Sequence, residues 1–234
     1  MSCLPRSNEH PLRSIEVAKL HFDAIEREQL CDLLDELGAQ APTLLDPWTT
    51  LDLAAHLFQR EHDFVAGPGL VIPGPWGRLA ERRRLRLKGR GFTDLVGTIR
   101  SGPPPGPFRV GWVRRVANLN EFFVHHEDVR RANGSGPRTN PPAEDAALFR
   151  NVALTGRLLS RQLRGVGLDL VWAGTDRTVT ARRGQPTAQV SGLPGELTLF
   201  LFGRRYAADV EVTGPPEAIE ALQRQRRPWW WGNE

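Results

Sequence analysis

Glu121 and His125 stand four residues apart in the stretch Glu-Phe-Phe-Val-His-His-Glu-Asp, a spacing that places both side chains on one face of a helix. One helix can offer a divalent metal two donors in this way. A third donor has a source in the run Thr49 to Leu57, where His56 interrupts an otherwise apolar helical face. Three protein donors from two helices leave a coordination position for water, a thiolate or a substrate oxygen. Such a metal acts as a Lewis acid or holds a thiol in its nucleophilic, deprotonated form at neutral pH. His62, His126 and Glu127 are rival donors on the same two helices, and Asp52 and Asp128 are candidate acceptors for orienting the imidazoles. Taken alone, the same residues also read as a solvated i,i+4 pair and a satisfied core histidine.

The elements that must carry these donors show in the apolar periodicity. Residues 15 to 38 repeat at helical spacing and stop at Gly38. Pro42 to Pro47 is a connector, and Thr49 with Asp52 forms a capping pair for a second helix running to about Val65. Gly67 to Gly77 is a Gly- and Pro-rich loop, followed by a basic, partly helical stretch and a helix over Phe92 to Ser101. Asn118 to Ala132 is helical and ends at Asn133-Gly134, and a last long helix spans about Pro142 to Arg164. Four long helices are the count for an antiparallel bundle. After Gly165 the pattern alternates: strands are expected over Leu168 to Trp172, Arg177 to Arg182, Thr187 to Ser191 and Ala207 to Val212, with short helices over Glu196 to Gly203 and Pro216 to Arg224. The expected fold is α+β in two domains, a four-helix bundle over residues 1 to 164 and a smaller α+β domain over 165 to 234.

Composition narrows the classes of function. The chain has 234 residues, enough for one large or two modest cores, and its 40% hydrophobic and 25% charged content is that of a globular protein rather than a disordered or membrane one. No signal peptide or membrane anchor is read, so a cytoplasmic location is expected. Two cysteines, Cys3 and Cys31, make neither a disulfide framework nor a zinc knot. Net charge is only +4, and the run Arg82 to Arg90 reads as a solvated helix face because no aromatic residues are interleaved for stacking. Nucleic acid is therefore not an expected partner. The three tryptophans Trp229 to Trp231 are expected to pack back over the second domain.

Thr43 to Leu57, with Asp46-Pro47-Trp48 and His56, resembles the signature of the DinB-type, mycothiol-dependent maleylpyruvate isomerase superfamily, as does Glu121-x-x-x-His125-x-x-Asp128. A third match, Gly195 to Arg204, resembles the start of a helix in the small C-terminal domain of those proteins. The resemblance implies a DinB-like bundle with a metal, usually zinc, held by His56, Glu121 and His125. It also implies a thiol cosubstrate, mycothiol, the low-molecular-weight thiol of actinobacteria, held on the metal as thiolate. Arg204 resembles an arginine that engages the acidic substrate or thiol, and so is the candidate catalytic residue. Two departures, Asp46-Pro47 where relatives carry Glu-Gly and His126-Glu127 where many carry Gly-Trp, point to a metal-binding subgroup.

The expected function is thus a metal-dependent, mycothiol-using enzyme, monomer or homodimer. It adds thiolate to an electrophilic small molecule, as an S-transferase or a cis-trans isomerase. The alternative is a protein that binds metal or thiol without turnover.

Overall fold

The computed structural model describes residues 21–63, 74–161 and 163–224. The described residues begin with four helices, α1 (Phe22–Leu37), α2 (Thr50–His62), α3 (Pro75–Leu87) and α4 (Phe92–Arg100). A single turn at Gly111–Val113 and a π-turn at Arg114–Asn118 lead into α5 (Leu119–Ala132), followed by α6 (Pro142–Leu159). The C-terminal part contains β1 (Gly167–Trp172), β2 (Thr178–Arg182), β3 (Thr187–Gly192), α7 (Pro194–Leu201), β4 (Glu211–Thr213) and α8 (Pro216–Arg224). The early part of the first expected helix, the end of the second, most of the Gly67 to Gly77 loop, Cys3 and the tryptophan tail lie outside the described residues.

The first apolar core is drawn from α1, α2, α4 and α5. Leu30 and Leu34 of α1 meet Leu53 and Leu57 of α2, Leu95 and Ile99 of α4, and Phe122 of α5, all fully buried. Each such side chain contributes roughly 1.5–3 kcal/mol relative to exposure. Within this core Arg27 donates to both oxygens of Glu61 at 2.6 Å and to the Ile99 carbonyl at 2.8 Å, and lies 4.0 Å over the Phe122 ring.

α6 departs from the expectation of a simple bundle helix. Its Phe149 and Val152 belong to the core beneath the sheet, whereas Ala147 and Leu148 pack with Leu119, Phe123 and Val124. The short α4 supplies the fourth wall of the first core instead. Helix length read from periodicity does not reveal partners, because an amphipathic stripe is equally satisfied by a helix or by a sheet.

The four strands form one mixed sheet in the order β2-β1-β3-β4, with β1 antiparallel to β2 and parallel to β3, and β4 antiparallel to β3. Leu168, Leu170, Ala188 and Val190 point to the core face, against α6, α7 and α8. Gly156 lets α6 approach the sheet: a Cβ there would stand 3.3 Å from Ala181 Cβ. The strand expected over Ala207 to Val212 is shorter. Ala207 and Ala208 donate to the Arg204 carbonyl in a turn, and the Asp209 N–H donates to Glu196 Oε2, so ladder pairing starts only at Glu211.

Candidate metal centre

The loop before α2 is pinned from three sides. Thr43 Oγ1 donates to the Trp48 carbonyl at 2.9 Å, the Leu44 N–H to the Asp128 carbonyl at 3.1 Å, and the Tyr206 hydroxyl to the Leu44 carbonyl at 2.6 Å. The Asp46–Pro47 peptide is cis. Asp52 Oδ2 then accepts from the Thr49 N–H and hydroxyl, the expected capping pair, and α2 begins. These contacts set the rotation of α2 that turns His56 toward α5.

On α5 the preceding π-turn at Arg114–Asn118 inserts its extra residue just before Glu121. Glu121 and His125 thereby face α2. His56 Nε2 lies 3.2 Å from Glu121 Oε1, and His125 Nε2 lies 3.3 Å from the same oxygen. One ligand atom from each of the three residues falls within 4.8 Å of the other two. Zinc–donor bonds of about 2.0–2.1 Å in a tetrahedron set donors roughly 3.3–3.4 Å apart. Two edges of the triad match that value, both imidazoles offer Nε2, and the set of two nitrogens and a carboxylate suits a zinc-type ion. Among the described residues this is the one such cluster of His, Cys, Asp and Glu.

The interior side of the triad is tightly held. His125 Nδ1 stands 2.9 Å from Asp128 Oδ2, and Asp128 takes Nε of Arg204 at 2.8 Å and its Nη2 as well. Arg204 Nη1 donates to the Phe202 carbonyl at 2.8 Å. Burial works to lower the His125 pKa, but Asp128 and Glu121 outweigh it and the net shift is upward. Burial alone would raise Asp128; the Arg204 guanidinium and the His125 imidazole hold it below the usual carboxylate range.

His56 has no comparable support. Its Nδ1 is buried without a hydrogen-bond partner among the described residues, and the ring is packed by Trp48, with centroids 5.3 Å apart, and by His125 at 5.2 Å. Burial lowers its pKa, with Arg60 and His125 adding to the effect, so the ring is neutral and keeps a lone pair at neutral pH. Burial would likewise raise Glu121, yet Arg60 and the two imidazoles hold it well below the usual value.

The other residues marked in the sequence go elsewhere. Asp52 accepts from Arg84 and from Lys88, the latter at 2.7 Å, and does not orient His56. Arg84, expected on a solvated face, is buried with its guanidinium 4.6 Å over Trp48. His126 Nδ1 meets Glu26 Oε2 at 2.9 Å, His62 stacks on Phe58, and Glu127 receives Arg130 and Arg131, each at 2.7 Å. Two residues near the triad, Arg60 and Asn118, are not among the expected site residues. Arg60 was legible in principle, one turn beyond His56 on the same face, whereas Asn118 reaches the site only through the π-turn.

No protein-family model and no curated protein matches the chain. Two solved structures do, both of the mycothiol-dependent maleylpyruvate isomerase. The unsubstituted protein aligns over 92% of this chain and 97% of its own, and a mutant form over 91% and 99%, each at 16% identity and a TM-score of 0.50. The chain shares the fold of that isomerase. The similarity extends over nearly the whole length of both chains.

Proposed function

We propose that the chain is a metal-dependent, thiol-using enzyme of the cytoplasm that adds a thiol to an electrophilic small molecule. The product is an S-conjugate or, after bond rotation and loss of the thiol, a cis-trans isomer. The observation that carries this reading is the convergence of His56 Nε2 and His125 Nε2 on Glu121 Oε1 at 3.2 and 3.3 Å. The name of the isomerase with the same fold supports mycothiol as the thiol.

In this reading His56, Glu121 and His125 hold a zinc-type ion, which supplies the stabilisation of a thiolate at neutral pH. The protein's own groups prepare the site. Asp128 accepts the Nδ1 proton of His125, leaving Nε2 as the lone-pair donor and fixing the ring. Arg204 holds Asp128 through two donors, so it acts on the site as a positioning residue behind His125. The N–H groups of Arg204 that meet Asp128 and Phe202 face the buried side, while His56, Glu121 and Arg60, with side chains 16%, 21% and 12% exposed, face the solvent side.

The test is metal content by elemental analysis of wild type, His56→Ala and His125→Ala, followed by thiol consumption in the presence of candidate electrophiles. About one zinc-like ion per chain in wild type and its loss in both variants is expected. Metal that survives both substitutions, or is absent from wild type, overturns the ligand set. Metal without electrophile-dependent thiol loss leaves a binding protein.

A further inference from the structure

The two imidazoles of the triad are held by different means. His125 has Asp128 behind it, whereas the buried Nδ1 of His56 has no hydrogen-bond partner among the described residues. Outside the triad no polar contact sets the rotation of the His56 ring about Cβ–Cγ, so packing must set it. The ring lies beside His125, with centroids 5.2 Å apart at 70°, and beside Trp48, with centroids 5.3 Å apart at 53°.

Trp48 is in turn held. Its N–H donates to the Leu45 carbonyl at 2.7 Å and its carbonyl accepts from Thr43 Oγ1 at 2.9 Å, which fixes the backbone. The indole is covered by Arg84 of α3, whose Cζ lies 4.6 Å from the ring centroid. Arg84 is only 5% exposed, and its guanidinium is pinned along its edge. Nε and Nη2 donate to the two oxygens of Glu81 at 2.8 and 2.7 Å, and Nη1 donates to Asp52 Oδ1. The edge is therefore given to carboxylates and the flat face to the indole. We infer that Arg84 is a positioning residue for His56: it holds Trp48 against the imidazole, and so does by stacking what Asp128 does for His125 by a hydrogen bond. The inference rests on the proposed metal site for its consequence, because a ring kept with Nε2 toward Glu121 Oε1 loses little rotational freedom when it donates to an ion there.

The test has a metal-free arm and a zinc arm, both on the full chain. In metal-free protein with isotope-labelled histidine, NMR of wild type should show one set of His56 ring signals with proton contacts to Trp48 and His125. Arg84→Met should broaden or split those signals and weaken both contacts, with the His126 signals unchanged as a check on the fold. Arg84→Lys, which keeps a charge for Asp52 but no planar face for the indole, should do the same in weaker form and serves if Arg84→Met does not fold. In the zinc arm, Arg84→Met and Trp48→Leu should each weaken zinc about tenfold or more and alter the visible spectrum of the cobalt-substituted protein. The double variant should bind zinc no more weakly than Trp48→Leu alone, because Arg84 acts through the indole. Lys88→Met takes the other cation from Asp52 and leaves the stack, so it should match wild type in both arms.

The inference is overturned if His56 signals in the Arg84 variants match wild type, or if wild type binds zinc and Arg84→Met binds it equally well. It is also overturned if Arg84→Met weakens zinc by the same factor with and without Trp48, or if Lys88→Met has the same effect, which would place the action in the α2 cap. Absence of zinc from wild type would sink the metal reading alone, and the metal-free arm would still decide the role of Arg84.

Discussion

His125 is held from behind by Asp128, whose Oδ2 lies 2.9 Å from the imidazole Nδ1, and both residues are buried. Because Asp128 in turn receives the Arg204 guanidinium, a residue from the C-terminal part of the chain sets the orientation of a candidate ligand on α5. The chain of contacts crosses from the sheet half into the helical half, so the orientation of His125 depends on both.

Asp128→Asn tests that chain. It keeps the shape, removes the charge that favours an Nδ1–H tautomer, and takes from the buried Arg204 its carboxylate partner. Zinc affinity should fall about 10- to 100-fold, and unfolding stability by about 3–5 kcal/mol, since one partner of a buried pair is lost. Zinc titration and denaturant unfolding check the two effects separately. An unchanged affinity would show that His125 needs no support from Asp128.

Glu144 gives the chain an expected pH dependence. Burial first, then its contact with Glu26, pushes the Glu144 carboxyl up to about 8, while Glu26, despite its burial, is held at about 2 by His126 and Arg138. A raised carboxyl binds its proton more tightly in the folded state. Its stabilising contribution is therefore complete below the unfolded value of about 4.5 and is lost as pH rises toward 8. Glu26 acts in the opposite sense, losing its contribution as pH falls from 4.5 toward 2. Wild-type stability should decline from pH 5 to pH 8 by up to about 1.4 kcal/mol per unit. Glu144→Gln should flatten that slope. Thermal unfolding of both proteins at pH 5, 6.5 and 8 reads it directly, and parallel curves would remove Glu144 as the source.

At Gly195, α7 packs directly on Phe123 of α5. A Cβ at this position would lie 2.7 Å from Phe123 Cζ and 3.2 Å from Asn140 Nδ2, and the Phe123 ring is buried with little room to retreat. Gly195→Ala should cost about 1–3 kcal/mol by overpacking. It should also displace α7, whose end leads directly to Arg204, so zinc affinity should drop along with stability. Unfolding midpoints and zinc titration of the variant check both, and a variant as stable as wild type would show that the junction is looser than its geometry.

What local sequence encodes is visible in α2 and α5. The Thr49–Asp52 cap, the stop at Asn133-Gly134 and the i,i+4 pairing of Glu121 with His125 depend on residues within a few positions of one another, so the sequence by itself determined them. The three alternating strands over residues 167–192 follow for the same reason. Contacts between elements were decided otherwise. Asp52 was an equal candidate for capping and for orienting His56. It caps α2 and takes Arg84 and Lys88 from α3 and the turn after it, because packing brings those cations to it and not the imidazole. Asp128 became the orienting acceptor because α7 delivers Arg204 to its other oxygen. The choice between α4 and α6 as the fourth wall of the first core, and the placing of Arg60 beside Glu121, likewise depend on how apolar stripes of similar character pair off in space. A stripe states that a face must be buried but not against what, and only the tertiary structure answers that.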